Sequence, residues 1–344
     1  MKKAIKILFV LFLTIGCSSD DTSNNENPNP TTDIYIAGNI FDGQEIAVYW
    51  KNGEMTRLSD NFGPASYGRG IWVQGQDVYV AGGEEVSDYN YRAVVWKNGE
   101  ANYLNTPAGY TSVVYCLFVD GADFYVGGQL VKNGVITAVY WKNNEPAVLL
   151  TDGIVNAGVR DIFVRNNVVH TVGYTLVGEL SKATHWKNNM ANQVTLPASS
   201  SSAHGVFVAD NGDTYVAFGE TVGQENRKAK YKKNSEQVIL SDGSQSEIAK
   251  DITVINNDIY VAGEHSVASG VRAVKYWKNN QATVLYESTS LSSVSSMAVA
   301  DDKVYIVGFL ESAGQRFPTL WSNTGTTSLS TFTGDARGIF IVKN

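Results

Sequence analysis

Short apolar runs return along this chain on a fixed beat. The clearest is "DVYVAGG" at 77–83, an acidic start followed by apolar and small residues. Its equivalents begin at Asp33, Asp77, Asp123, Val168, Asp213, Asp258 and Lys303, at spacings of 44, 46, 45, 45, 45 and 45 residues. A second phrase, "RAVVWKNGE" at 92–100, keeps the same time: Trp50, Trp96, Trp141, Trp186, Tyr231, Trp277 and Trp321 take the Trp place. A third is an apolar triplet that runs from Ile71-Trp72-Val73 and Leu117-Phe118-Val119 through to Ile339-Phe340-Ile341.

Each unit reads as four short strands. In residues 69–104, "RGIWV" forms strand a, "GQD" turns the chain, and "VYVAGG" forms strand b. A longer loop leads to "RAVVW" as strand c, and "KNGE" turns into "ANYL", strand d. Asn-Gly supplies the positive φ angles of a tight hairpin turn. Strands a and b are nearly all apolar, as expected where both sheet faces are covered. Four strands at a period near 45 predict a β-propeller blade. The fold class is therefore all-β, a seven-bladed propeller of four-stranded blades. The repeat opens on strand b at Asp33 and closes on a strand a, "ARGIFIV" at 336–342, so the C-terminal strand is expected to complete the N-terminal blade. The fifth blade is the irregular one, with Tyr231 in place of Trp and one extra residue in its turn.

The repeat resembles the extracellular HAF-repeat family, on "AHGVF" (203–207), "AKDI" (249–252), "ARGI" (336–339), "DVYVAG" (77–82) and "AVVWKNG" (93–99). The Asn that follows the Ile in that family is missing, and its His-Ala-Phe is replaced by Arg-Ala-Val or similar. The resemblance covers essentially all of 33–344 and implies an exported propeller. It carries over no catalytic residue.

The N-terminus departs from the repeat. "MKKAIKILFVLFLTIGC" has Lys2, Lys3 and Lys6, an apolar run from Ile7 to Leu13, and small residues before Cys17. That is the pattern of a secretory signal, and the run is too short to span a bilayer. Gly16-Cys17 resembles the bacterial lipobox, with Thr14 where Leu is usual, so residues 1–16 are read as a lipoprotein signal and Cys17 as the lipidated residue. "CSSDD" resembles the start of surface-exported lipoproteins of Bacteroidetes. Residues 18–32 hold no apolar side chain up to Thr32 and read, with Cys17, as a tether. The expected location is the outer membrane, at the cell surface, with membrane contact through the lipid alone. Cys116 is then the one thiol left and reads as a small buried hydrophobe. Net charge is −7, and −10 once residues 1–16 are removed with their three Lys, which argues against nucleic acid as a partner.

Against that negative total, the residues opening strand a are Arg69, Tyr115, Arg160, His204, Lys250, Ser295 and Arg337. Seven equivalent positions define one ring at the channel mouth, and converging cations would attract an anion. Guanidinium forks suit carboxylate, sulfate or phosphate. Asp161 and Asp251 follow Arg160 and Lys250 directly and are the candidates to neutralise them. Tyr89 and Tyr91, on the loop after strand b of the second blade, could stack on sugar rings or pack on their neighbours. "GYTLVGELSK" (173–182) and "GFLESAGQRF" (308–317) each add an expected exposed aromatic, and Arg227, Lys228, Arg272 and Arg316 add cations to the rim. The Asp residues opening strand b read as turn-capping residues rather than metal ligands. His170 stands where six blades have Tyr and reads as a core substitution.

No nucleophile elbow, zinc-protease motif or phosphate loop is present, and no cofactor or metal is expected. Uniform, short blades favour binding over catalysis. Three readings follow: a surface module binding an acidic or sulfated glycan at the mouth, a protein-interaction scaffold with an envelope partner, or a lyase or hydrolase of acidic polysaccharide using His204, Tyr115 and Arg160.

Overall fold

In the computed structural model, residues 31–87, 90–195, 199–266 and 271–344 are described. The lipoprotein signal, Cys17 and the tether up to residue 30 lie outside them. Within them the chain forms seven antiparallel four-stranded sheets and no helix. The fold is a seven-bladed β-propeller, as the repeat predicts. The inner strands are Ser66–Gln74, Thr111–Asp120, Ala157–Arg165, Ser199–Val208, Ser246–Ile255, Ser292–Ala300 and Thr333–Lys343. The last of these pairs with Thr32–Asp42, from Thr32 opposite Lys343 to Phe41 opposite Thr333. C-terminal strand and N-terminal strands thus share blade one, and no inner edge is left open.

The phrase that repeats in the sequence is one local device. Asn98 of the c–d turn sits at φ 54°. Its Oδ1 accepts the Val78 N–H at 2.8 Å, and its Nδ2 donates to Asp77 at 2.7 Å. Lys97 pairs with the same Asp at 2.8 Å and lies over the Tyr79 ring at 5.1 Å. The Lys97 ammonium, and then the Asn98 amide, hold the Asp77 carboxyl below its usual range. The arrangement recurs at Asp33, Asp123, Asp213 and Asp258 with Asn52, Asn143, Asn234 and Asn279. The Asp residues are therefore structural, but they bind the neighbouring c–d turn rather than capping the turn that precedes them.

A buried Trp anchors six blades: Trp50, Trp96, Trp141, Trp186, Trp277 and Trp321 are at most 1 % exposed. Several of these rings lean on a strand-b glycine. A Cβ at Gly82 would stand 2.9 Å from Trp96 and would collide with the Tyr67 carbonyl oxygen. Blade five breaks the pattern differently from the expectation. Its register sets Lys232 opposite Val216, which is the place Trp96 takes opposite Val80, so Lys232 and not Tyr231 replaces the Trp. No residue is inserted: Lys233 and Asn234 keep the turn. Phe218 stands where other blades have that glycine, fully buried, and packs with Val172, Ala183 and Val194 of blade four. An aromatic ring moved from strand c to strand b fills the same interblade space.

Blade four carries the other exception. His170 is buried at the Tyr position, as expected of a core substitution, and its Nδ1 lies 3.1 Å from Nε2 of His185. The rings stack with centroids 5.2 Å apart. Burial depresses both to about 4. Cys116 is buried as expected, and burial pushes its thiol well up.

Two outcomes follow. Asn98→Ala loses the left-handed preference and the side-chain bonds to Val78 and Asp77, whereas Asn98→Gly loses only the two bonds. Chemical denaturation should show both destabilised, with Ala the worse by about 1 kcal/mol. Between pH 6.5 and 4 the unfolded chain protonates His170 and His185 while the folded chain does not, so their contribution makes stability fall as pH falls. His170→Tyr should flatten that slope relative to the parent by up to about 1.4 kcal/mol per pH unit for each histidine relieved. Equal slopes in the two proteins would disprove the assignment.

Candidate functional site at the channel mouth

Each inner strand carries one residue more than its partner. The register slips between Gly68 and Gly70, Val114 and Cys116, Val159 and Asp161, and Ala203 and Gly205. It slips likewise between Ala249 and Asp251, Val294 and Ser296, and Ala336 and Gly338. The seven skipped residues are Arg69, Tyr115, Arg160, His204, Lys250, Ser295 and Arg337. A β-bulge re-aims the side chain of its extra residue, and all seven line one cavity at the mouth. The structure thus brings together every ring residue picked out in the sequence.

Their charges are not equally available. Lys250 pairs with Glu264 at 3.2 Å, and Arg337 with Asp335 at 2.7 Å. Arg69 and Arg160 have no carboxylate within ion-pair distance among the described residues. Instead both guanidinium groups lie over the Tyr115 ring, each 4.6 Å from its centroid. Arg69 also covers Tyr67 at 5.1 Å, and Arg160 covers Tyr174 at 5.6 Å. Stacking on aromatic faces leaves the planar donor edges of each fork open. Nε of Arg160 and Nε2 of His204 are buried without a hydrogen-bond partner. Burial, then the charges of Lys250, Arg160 and Arg227, hold the His204 imidazole well below its usual pKa, so it is neutral at pH 7.

The two Asp do not neutralise their basic neighbours. Asp161 accepts from Ile162 N–H and, across to the next blade, from Val206 N–H, both at 2.8 Å. Asp251 accepts from Ile252 and Met297 N–H, both at 2.7 Å, and from Ser296 Oγ at 2.9 Å. They are clamps between inner strands. Burial, and for Asp161 the charge of Asp251, raises both carboxyls, Asp251 to about 6. Glu264 and Asp335, the actual partners of the ring, were missed in the sequence; no one-dimensional signal couples Lys250 to a residue one strand over.

Below the ring the channel narrows through an arc of aromatics. Phe340, Trp72, Phe118, Phe163 and Phe207 follow one another at centroid distances of 4.7, 4.5, 4.7 and 5.2 Å. Thr253 and Ala298 complete the circle, and ring and arc together enclose about 340 Å³. These are the middle residues of the apolar triplet. The site is a cationic cup over an apolar floor.

Tyr91 packs edge-on against Tyr67 at 5.1 Å; Tyr89 lies outside the described residues. The aromatics expected to be exposed on two other hairpins are covered. Tyr174 is half-buried beneath Arg160, and Phe309 is buried beneath Arg316 at 4.4 Å. Of the rim cations, Lys228 pairs with Glu225 at 3.4 Å. Among the described residues no group of three or more His, Cys, Asp or Glu is placed to hold a metal ion.

No family model matches the chain, and no curated protein does. Solved structures share its fold. One is from a structural and mechanistic study of two prolyl endopeptidases, at 13 % identity and TM-score 0.51, covering 91 % of this chain and 50 % of that one. Another is a puromycin-hydrolyzing peptidase of Mycobacterium tuberculosis, at 9 % identity and TM-score 0.53, covering 77 % and 46 %. This chain spans about half the length of each peptidase, and the likeness is one of fold alone.

The buried imidazole gives a direct readout of the cup. In NMR titration of the free protein, His204 should stay neutral well below pH 6.5, unlike an exposed histidine. A bound anion supplies the opposite charge that it lacks and should raise its pKa. An ordinary titration near 6.5 would show the ring to be open to water.

Proposed function

We propose that this propeller acts by binding, and that it takes an anionic group, a carboxylated or sulfated sugar, into the cup at the channel mouth. The observation that carries this reading is the Arg69–Tyr115–Arg160 sandwich. Two guanidinium groups face one cup from both sides of a single ring, with no carboxylate of the described residues within ion-pair distance of either. Charges held this way are stacked rather than ion-paired, and the oxygens of a carboxylate or sulfate complete their hydrogen bonding. Uniform blades without catalytic insertions support binding over turnover. The N-terminal sequence supports an exported protein anchored through a lipid on Cys17, presenting the cup at the outer membrane surface.

A second reading, a docking platform for an envelope protein, is favoured by one observation. The ends of strand b and the d–a loops share the face of the mouth, and there Phe62 is 98 % and Ile154 79 % exposed. Catalysis on acidic polysaccharide by His204, Tyr115 and Arg160 would use the same cup. It differs from binding in forming an unsaturated or hydrolysed product.

Thermal-shift measurements with sulfate, glucuronate and sulfated oligosaccharides separate these readings. A ligand of the native state should raise the unfolding midpoint in proportion to the logarithm of its concentration, reaching about 2.7 kcal/mol at a hundredfold excess over Kd. Arg69→Ala/Arg160→Ala should weaken Kd by at least tenfold. An undiminished shift in the double variant would move the site off the ring. No shift in the parent would leave the platform, and product formation would replace binding by catalysis.

A further inference from the structure

The mouth is continuous with a groove that crosses blades one and two. Arg69 and Arg337 belong to the cup and also to this groove, whose other walls are Tyr67, Tyr91, Asn39 and Glu45. Asn39, Glu45 and Tyr91 in turn line a cavity of about 650 Å³ formed by the starts and hairpins of blades seven, one and two. Phe41, Gln44, Gln315 and Asp335 complete its principal walls. The cup and the second compartment are therefore joined by shared walls.

The chemistry changes from one to the other. The cup offers cations. The outer cavity offers two aromatic faces, three side-chain amides (Asn39, Gln44, Gln315), the carboxylates of Glu45, Glu85 and Asp335, and one guanidinium, that of Arg316, which lies over the Phe309 ring. Phe41 stands at a hairpin end, 57 % exposed, opposite Glu45 and Thr333 in the register. Tyr91 is held in place by its edge-on contact with Tyr67. Asp335 gives one oxygen to Arg337, while its other oxygen is buried and accepts no hydrogen bond. Carboxylates and amides are acceptors for hydroxyl groups, and an aromatic face takes the C–H side of a ring. A second anion would meet three carboxylates here against the single guanidinium of Arg316. A free cation would find Glu45 already facing the charges of Arg69 and Arg337, and Asp335 already paired. An uncharged, hydroxyl-rich ring suits the compartment best.

We propose that the cavity between the blade-seven, blade-one and blade-two hairpins is a second subsite, for a neutral sugar joined to the acidic unit held at the ring. This rests on the reading of the ring as an anion site. The ligand is then an oligosaccharide bound acid-inwards, with its neutral residue against Phe41 and Tyr91 and its hydroxyls on Asp335, Glu45 and the amides.

Isothermal titration of the protein tests this with three probes: glucuronic acid, a panel of disaccharides joining glucuronic acid to glucose, galactose or mannose, and the same panel with glucosamine as the second ring. At least one neutral-ring disaccharide should bind ten times more tightly than glucuronic acid. Phe41→Ala should remove that advantage; its side chain is exposed, and an unchanged unfolding midpoint confirms that the fold is retained. Arg69→Ala/Arg160→Ala should weaken both acids alike. Equal affinity of glucuronic acid and every neutral-ring disaccharide overturns the subsite and leaves the ring as an anion site. A tenfold gain for the glucosamine panel alone also overturns it, by making the cavity a cation site. Silence of glucuronic acid, all disaccharides and inorganic sulfate together overturns the ring and the subsite with it.

Discussion

The seven bulges in the inner strands are the constraint on which the rest of the structure depends. An extra residue in a strand has to go somewhere, and here it goes into the channel, which makes the ring. The same distortion drives a carbonyl oxygen of the inner strand towards strand b. At Gly38, Gly82, Gly128, Gly173, Gly263 and Gly308 a Cβ would collide with that oxygen. Glycine takes that place on strand b in six blades, and in blade five, whose inner strand carries the same bulge, Phe218 stands there. The bare glycine leaves room beside it for the Trp ring from strand c, with Trp96 Cζ3 2.9 Å from where a Gly82 Cβ would stand. The mouth goes with one local distortion repeated seven times, and in six blades the glycine and Trp of the interblade core go with it.

This coupling explains why the site is precise although its residues lie on separate blades. A ring residue is placed by its own strand, whose register is fixed on both sides by buried contacts. Asp161 and Asp251 add direct ties between inner strands, from one blade to the next. Chemical variation at the ring then costs the scaffold little, because the skipped residue has no cross-strand partner. Arg, Tyr, His, Lys and Ser all occur there with the same backbone. Composition of the cup is free to vary while its geometry is held.

The sequence made the architecture legible because strand period, turn chemistry and Trp spacing all point the same way. It made the ring legible too, since equivalent positions in a closed repeat must be neighbours. It did not reveal that those positions are bulges, because an extra residue shared by all seven blades leaves the period unchanged. Nor did it reveal which cations are free. That depends on Glu264, whose nearness to Lys250 exists only once strands pair, and on Asp335, two residues before Arg337 on the same strand, whose side chain turns back onto it. Adjacent Asp161 and Asp251 looked like neutralising partners, but the bulge turns them towards backbone N–H groups of the next strand. The blade-five substitution was misread for a related reason: aligned by letters, Tyr231 resembles the missing Trp, and only the pairing of Tyr215 with Lys233 shows that Lys232 holds its place.

That blade has a consequence for how such a repeat can change over time. Phe218 and Lys232 are each unacceptable in the background of the other blades. A Phe at the glycine position would overlap a Trp ring, and a Lys at the Trp position would leave a void with a charge in it. Together they restore a filled interblade space. The two changes are therefore a linked pair, and either order of acquisition passes through a weakened intermediate. A blade that has made the crossing is separated from its six siblings by that valley. Copies of it cannot be exchanged piecemeal with theirs, strand for strand, even though both kinds build the same wall.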